Sequence, residues 1–151
     1  MPQPLTGLKV LDITQVMAGP FCSMLLCDMG ADVIKIESPE GDPTRRFAGT
    51  QNDESEAFNA VNRGKRAISV NLRNPEGTRV VQKLSEDADV LIENYRPGVM
   101  ARFGLGYEAL KRANPRLVYA SISGYGQNLR CGRPISRTYR KKRSYGKRNK
   151  L

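Results

Sequence analysis

Leu8-Lys9-Val10-Leu11-Asp12-Ile13, then Ala18-Gly19-Pro20-Phe21, then Val33-Ile34-Lys35-Ile36 is the stretch that decides the fold. Its outer segments are short, apolar and rich in β-branched residues, the mark of buried strands. Pro20 suits the first turn of a helix, because its missing N–H has no partner there anyway. Phe21, Met24 and Leu25 recur at helical spacing, and Gly30 supplies a C-terminal stop. Strand, turn, helix and strand within about 30 residues is the size of a βαβ crossover.

The same alternation runs on. Ala67–Leu72, Asp89–Glu93 and Leu117–Ile122 read as three further strands. Asn74 caps a helix that Pro75 opens and that extends to about Ser85. Short helices are expected over Val99–Phe103 and Tyr107–Ala113, separated by Gly104 and Gly106. Glu37–Lys65 reads as a long polar loop with one short helix around Glu54–Asn59. Strands alternating with helices predict an α/β fold, a Rossmann-like parallel sheet with flanking helices. Ligands of such sheets sit beyond the carboxyl ends of the strands. Here those ends carry Val16–Gly19, Glu37–Ser38, Leu72–Asn74, Asn94–Gly98 and Ser123–Gly126.

Charge divides the chain of 151 residues in two. Residues 1–127 hold 15 Lys/Arg and 15 Asp/Glu, whereas residues 128–151 hold 10 Lys/Arg and no acid, the whole net charge of +10. The expected organisation is a patterned portion over residues 1–127 and a basic, disordered tail over residues 128–151. With His at 0, a Ser-His-Asp or Cys-His engine is excluded. Cys22, Cys27 and Cys131 form no CxxC pair, so no metal site is expected, and Cys22 and Cys27 read as small core residues of a helix. No stretch of about 18 apolar residues or secretory signal is recognisable, so the expected setting is cytoplasmic, without a membrane partner.

The turn around Gly19 lets a phosphate or carboxylate approach a helix N-terminus. Arg63, Lys65, Arg66, Arg73, Arg96 and Arg102 flank strands three and four, where several together could hold a polyphosphate; singly, each reads as a solvated surface charge. Asn94 and Tyr95 suit a nucleotide base or, equally, a structural cap and a core ring.

Taken together, residues 1–127 resemble the family III CoA-transferases, which also contain α-methylacyl-CoA racemases. The blocks are Leu5–Asp12, Ala18–Phe21, Leu26–Glu37, Asn62–Arg66, Asp89–Gly98, Asn114–Arg116 and Ser123–Gln127, in family order. The resemblance implies a Rossmann-like coenzyme A-binding portion, acyl-CoA and a carboxylic acid acceptor as substrates, and interlocked homodimers in complete members. Carried over by position, Val16 and Ala18 would touch the nucleotide end of coenzyme A. Val70 and Arg73 would line its adenine and phosphate region, and Asn94, Tyr95, Arg102 and Phe103 the remainder. Some members place an arginine after Glu37 where this chain has Ser38. The family's transferases use an aspartate downstream of the Gly-Tyr-Gly block as nucleophile, and no carboxylate follows Glu108. The expectation is a CoA-transferase piece cut before its catalytic aspartate, by a shifted frame or altered 3′ end, and without turnover alone. A stand-alone CoA- or nucleotide-binding module is the alternative. A nucleic-acid binder acting through the basic tail is another, and nucleic acid is not the expected physiological partner.

Overall fold

A computed structural model describes residues 3–47, 50–51 and 54–127. The expected tail over residues 128–151 lies outside them. In chain order the elements are β1 (Lys9–Ile13), α1 (Ala18–Asp28), β2 (Asp32–Glu37), a 3-10 turn (Pro43–Arg46), β3 (Thr50–Gln51), β4 (Glu54–Ser55), α2 (Glu56–Asn62) and β5 (Arg66–Ser69). They continue with α3 (Pro75–Ser85), β6 (Val90–Glu93), α4 (Val99–Arg102), α5 (Tyr107–Ala113) and β7 (Val118–Ser121). The main sheet is parallel throughout, in the order β5-β2-β1-β6-β7, and β3 pairs with β4 in a separate antiparallel hairpin. This is the α/β architecture expected from the alternation. The chain winds outward from β1 through β2 to β5, then returns to β1's other side. The direction reverses between β1 and β6, which opens a crevice at their carboxyl ends.

Both faces of the sheet are covered, as the consecutive apolar residues of its strands require. Leu11, Ile13 and Leu91 point to one face and pack with Val81 of α3, Met100 of α4 and Leu110 of α5. Val10, Val33 and Ile92 point to the other, with Leu26 and Cys27 of α1. Asp12 shares that second face by strand alternation, and it is fully buried.

The prolonged loop has more structure than its composition suggests. Asp42 caps the 3-10 turn by accepting from the Thr44 N–H at 2.9 Å. Ser55 caps α2 through the Phe58 N–H, so this helix lies later than the expected Glu54–Asn59. β5 ends at Ser69, short of the expected Leu72. Val70 still donates to the Glu37 carbonyl at 2.8 Å, and Asn71 then turns the chain by accepting from the Arg73 N–H. Asn74 caps α3 as expected, accepting from the Glu76 N–H at 2.9 Å.

Helix α1 is oriented differently from the expectation. Its buried residues are Gly19, Pro20, Ser23 and Met24, whereas Phe21 and Leu25 are 50% and 42% exposed. Cys22 is exposed too, which corrects its reading as a core residue. The buried polar partner of Ser23 turns the helix this way. Gly19 permits the resulting close approach: a Cβ there would lie 2.3 Å from Thr14 Cβ. Gly19→Ala is therefore expected to cost about 1–3 kcal/mol of stability, as overpacking does. A urea denaturation midpoint equal to the unmodified protein's would contradict this.

Candidate functional site

The crevice is built on two ends of strand. After β1, the Gln15 N–H donates to Asn94 Oδ1 at 2.9 Å, and Asn94 Nδ2 donates back to the Gln15 carbonyl at 2.8 Å. One side-chain amide thereby closes β1's exit onto β6's exit. Gln15 Nε2 also donates to the Tyr95 hydroxyl at 3.1 Å. Burial pushes the Tyr95 phenol above its ordinary pKa, a shift the Gln15 hydrogen bond only moderates.

Beneath this rim lie buried charges. Asp12 Oδ2 pairs with Lys65 Nζ at 2.9 Å and accepts from the Ser23 hydroxyl at 2.6 Å. Its Oδ1 accepts from the Thr14 N–H at 2.9 Å. Lys65 Nζ is completed by the Pro20 carbonyl and Asn62 Oδ1, both at 2.9 Å. A second pair, Lys35 Nζ to Asp42 Oδ2 at 3.0 Å, is equally enclosed. A third pair buries only its carboxylate: Glu37 meets the exposed Arg45 bidentately at 2.7 and 2.8 Å, and Arg45 stacks on the Phe58 ring. Burial alone would raise the Asp12 carboxyl; the Lys35 and Lys65 ammonium groups and the hydroxyl donors outweigh it and hold it low. Burial likewise pushes the Asp42 and Glu37 carboxyls up, and hydrogen bonds from Thr44 and Arg45 overcome that rise and hold both low. At Lys65 burial wins over Asp12 and lowers the ammonium.

The expected site residues separate into groups. Val70, Arg73, Tyr95 and Phe103 line one cavity of about 240 Å³, together with Gln15 and Ser38. Arg73, Arg102 and Phe103 line an adjoining groove of about 590 Å³. Neither Arg73 nor Arg102 forms an ion pair among the described residues. Asn94 lies on the rim, but both ends of its amide are engaged by Gln15. Val16 and Ala18 are exposed on the turn into α1, outside that cavity. The helix starts there with no side-chain cap and no acid in its first turn.

Three of the flanking cations are not free for a ligand. Arg63 pairs with Asp28, Lys65 with Asp12, and Arg66 with Asp32. Arg63 and Lys65 precede β5 and Arg66 opens it, at the opposite end of that strand from Arg73. Gln15, Asp42 and Lys35 escaped the sequence reading as site residues, and Lys65 was read there as a flanking cation and is a buried one. A signal existed for the lysines: a lone Asp in Leu-Asp-Ile and a lone Lys in Ile-Lys-Ile, each inside a buried strand, must find partners. Among the described residues no group of three His, Cys, Asp or Glu side chains is placed to hold a metal ion.

Comparison with known proteins decides the family. The profile described as CoA-transferase family III matches residues 5–145. The chain belongs to CoA-transferase family III. The match runs past Gln127, where the block-by-block likeness stops. Succinyl-CoA:glutarate CoA-transferase of Mus musculus is 48% identical over 127 residues, covering 83% of this chain and 29% of the relative. Acetyl-CoA:oxalate CoA-transferase of Acetobacter aceti is 49% identical over 125 residues, covering 82% and 32%. The crystal structure of a CAIB/BAIF family protein from Brucella suis superposes with a TM-score of 0.81 at 45% identity, covering 85% of this chain and 35% of that one. This member of the family thus spans about a third of the length of such relatives.

Removing one partner of a buried pair leaves an uncompensated charge. In this family member Lys65→Met is expected to cost about 3–5 kcal/mol, and the double variant Asp12→Asn/Lys65→Met to regain most of it. Urea denaturation of the set decides, and equal losses in both would contradict the pairing. The carboxyls of Asp12, Asp42 and Glu37 titrate lower in the folded chain than at their free values of 3.8, 3.8 and 4.5. Their stabilisation is therefore complete above those free values and is lost as pH falls through the folded ones. Thermal midpoints should stay level from about pH 8 to 5 and drop steeply below about pH 4. A midpoint unchanged in acid would contradict this.

Proposed function

We propose that this chain is the coenzyme A-binding part of a CoA-transferase that moves CoA from an acyl-CoA to a carboxylic acid. The observation that carries the reading is the convergence of Val70, Arg73, Tyr95 and Phe103 on one cavity at the strand ends. Arg73 and Arg102 beside it form no ion pair among the described residues, with Glu40 at the cavity's edge interacting with Arg73 only at longer range, and they suit the phosphates of the coenzyme. Val70 and the Tyr95 and Phe103 rings supply apolar walls for a planar base. The two rings meet edge to face, with centroids 6.4 Å apart. The uncapped start of α1 offers free N–H groups and a favourable dipole close to the crevice.

The described carboxylates beneath this rim are occupied. Asp12, Glu37 and Asp42 are ion-paired, and Glu93 accepts from the Tyr95 N–H and the Ser121 hydroxyl. Covalent CoA transfer needs an unpaired nucleophile. The part we assign to residues 1–127 is therefore carrier binding, not bond making. For the complete enzyme we propose a homodimer, on the strength of the family resemblance. The free thiols of Cys22 and Cys27 are in keeping with a cytoplasmic setting. No described helix is long and apolar enough to cross a membrane.

Calorimetric titration of coenzyme A into the chain should give saturable binding that weakens with added salt. Arg73→Ala and Arg102→Ala should each weaken it about tenfold or more, the worth of a charge-assisted hydrogen bond. Mixing the chain with an acyl-CoA and an acceptor acid should yield no transfer. Absence of binding, or binding indifferent to both arginines, would overturn the reading.

A further inference from the structure

Among the described non-glycine residues only Val16 has a positive φ, 71°. The left-handed conformation crowds Cβ against the carbonyl, and for a β-branched residue it is a genuine outlier. Such a residue persists only where its surroundings over-determine it. On one side, Gln15 is fastened at both backbone atoms by Asn94. On the other stands Asp42, whose two carboxylate oxygens both accept from the Val16 N–H at 3.3 Å.

Asp42 is itself immobilised. Its Oδ1 accepts from the Thr44 N–H at 2.9 Å and hydroxyl at 2.7 Å. Its Oδ2 meets Lys35 Nζ at 3.0 Å, and its own N–H donates to Glu37 at 2.9 Å. Lys35 Nζ reaches back to the Thr14 carbonyl at 3.0 Å. Both side chains of this pair are 1% exposed. The pair thus grips the chain at Thr14 and at Val16, on either side of Gln15. Immediately afterwards come Met17 and the first turn of α1, which has no side-chain cap. The direction of its free N–H groups follows from the dihedral at Val16.

We propose that Asp42 is a positioning residue for coenzyme A: it holds Val16 in the left-handed conformation and so sets where the open first turn of α1 meets the ligand. The proposal rests on the coenzyme A reading above and adds to it a buried residue that never touches the ligand. A role confined to capping the 3-10 turn is distinguishable, because asparagine caps equally well. Asp42→Asn keeps an oxygen for Thr44 and replaces the oxygen facing Lys35 by a donor. Lys35→Met removes the cation that would then be unpaired.

The test uses the full 151-residue chain. In Lys35→Met/Asp42→Asn, the HN–Hα coupling of Val16 should leave its left-handed value, and coenzyme A should bind about fivefold more weakly or worse. Within that background, Val16→Gly should bind coenzyme A about fivefold more tightly than Val16→Ala. Both truncate the side chain, and only glycine adopts the left-handed conformation freely. An unchanged coupling and affinity in the double variant, or equal affinities for the glycine and alanine variants, would overturn the proposal. Should the double variant fail to fold, Asp42→Glu retains the charge opposite Lys35 and displaces the acceptor from Val16, with the same expectations for coupling and affinity. If the unmodified chain binds no coenzyme A, the reading of the preceding subsection fails and the ligand half of this one with it; the coupling then still decides whether Asp42 sets the turn.

Discussion

A carboxylate with no exposed surface, Asp12 at the end of the central strand, holds the rest together. It joins the strand to the turn through Thr14, to α1 through Ser23 and to the entry of β5 through Lys65. In a poorly polarisable interior none of these partners can be dropped without leaving a buried charge or dipole unsatisfied. The consequence is geometric. Ser23 must face the sheet, so the larger apolar residues Phe21 and Leu25 of the same helix face outward. Gly19 must sit against Thr14, so the helix begins close to the strand end. The Lys35–Asp42 pair then fastens the loop after β2 to the same turn.

Above this framework the rim divides its labour. Buried ion pairs and the Asn94 clamp fix backbone, while Arg73, Arg102, Tyr95 and Phe103 present side chains to a cavity and a groove. A rigid scaffold with cavity-lining residues on its connecting segments is the usual arrangement at strand ends. It also explains why so small a portion of the family's length carries a formed crevice: every residue that shapes it comes from β1, β2, β5, β6 and the segments that follow them.

The order of strands and helices was legible because it is written in local periodicity and punctuation. Asn74 and Pro75 open α3 where they should, and the apolar runs of β1, β2 and β6 lie where both faces are covered. The long segment after β2 was not legible, because its order comes from distant partners: Asp42 answers Lys35 and Val16, and Arg45 answers Glu37 and Phe58. The site was legible in part. Val70, Arg73, Tyr95 and Phe103 line one cavity and Arg102 lies beside them, and their contact with coenzyme A is the proposal made above. Lys65 looked like a surface cation and is a buried one, a distinction that depends on a strand far away in sequence. Asn94 is the reverse case, since the alternative of a structural cap was open from its residue type and its two bonds to Gln15 fulfil that role.

The most direct measurement is a residue-resolved amide NMR titration of the chain with coenzyme A. Saturable shifts should gather at Val16–Gly19, Val70–Arg73, Asn94–Tyr95 and Arg102–Phe103, and leave the opposite strand ends at Lys9, Asp32 and Asp89 still. Shifts centred on those opposite ends, or none at saturating coenzyme, would contradict the account.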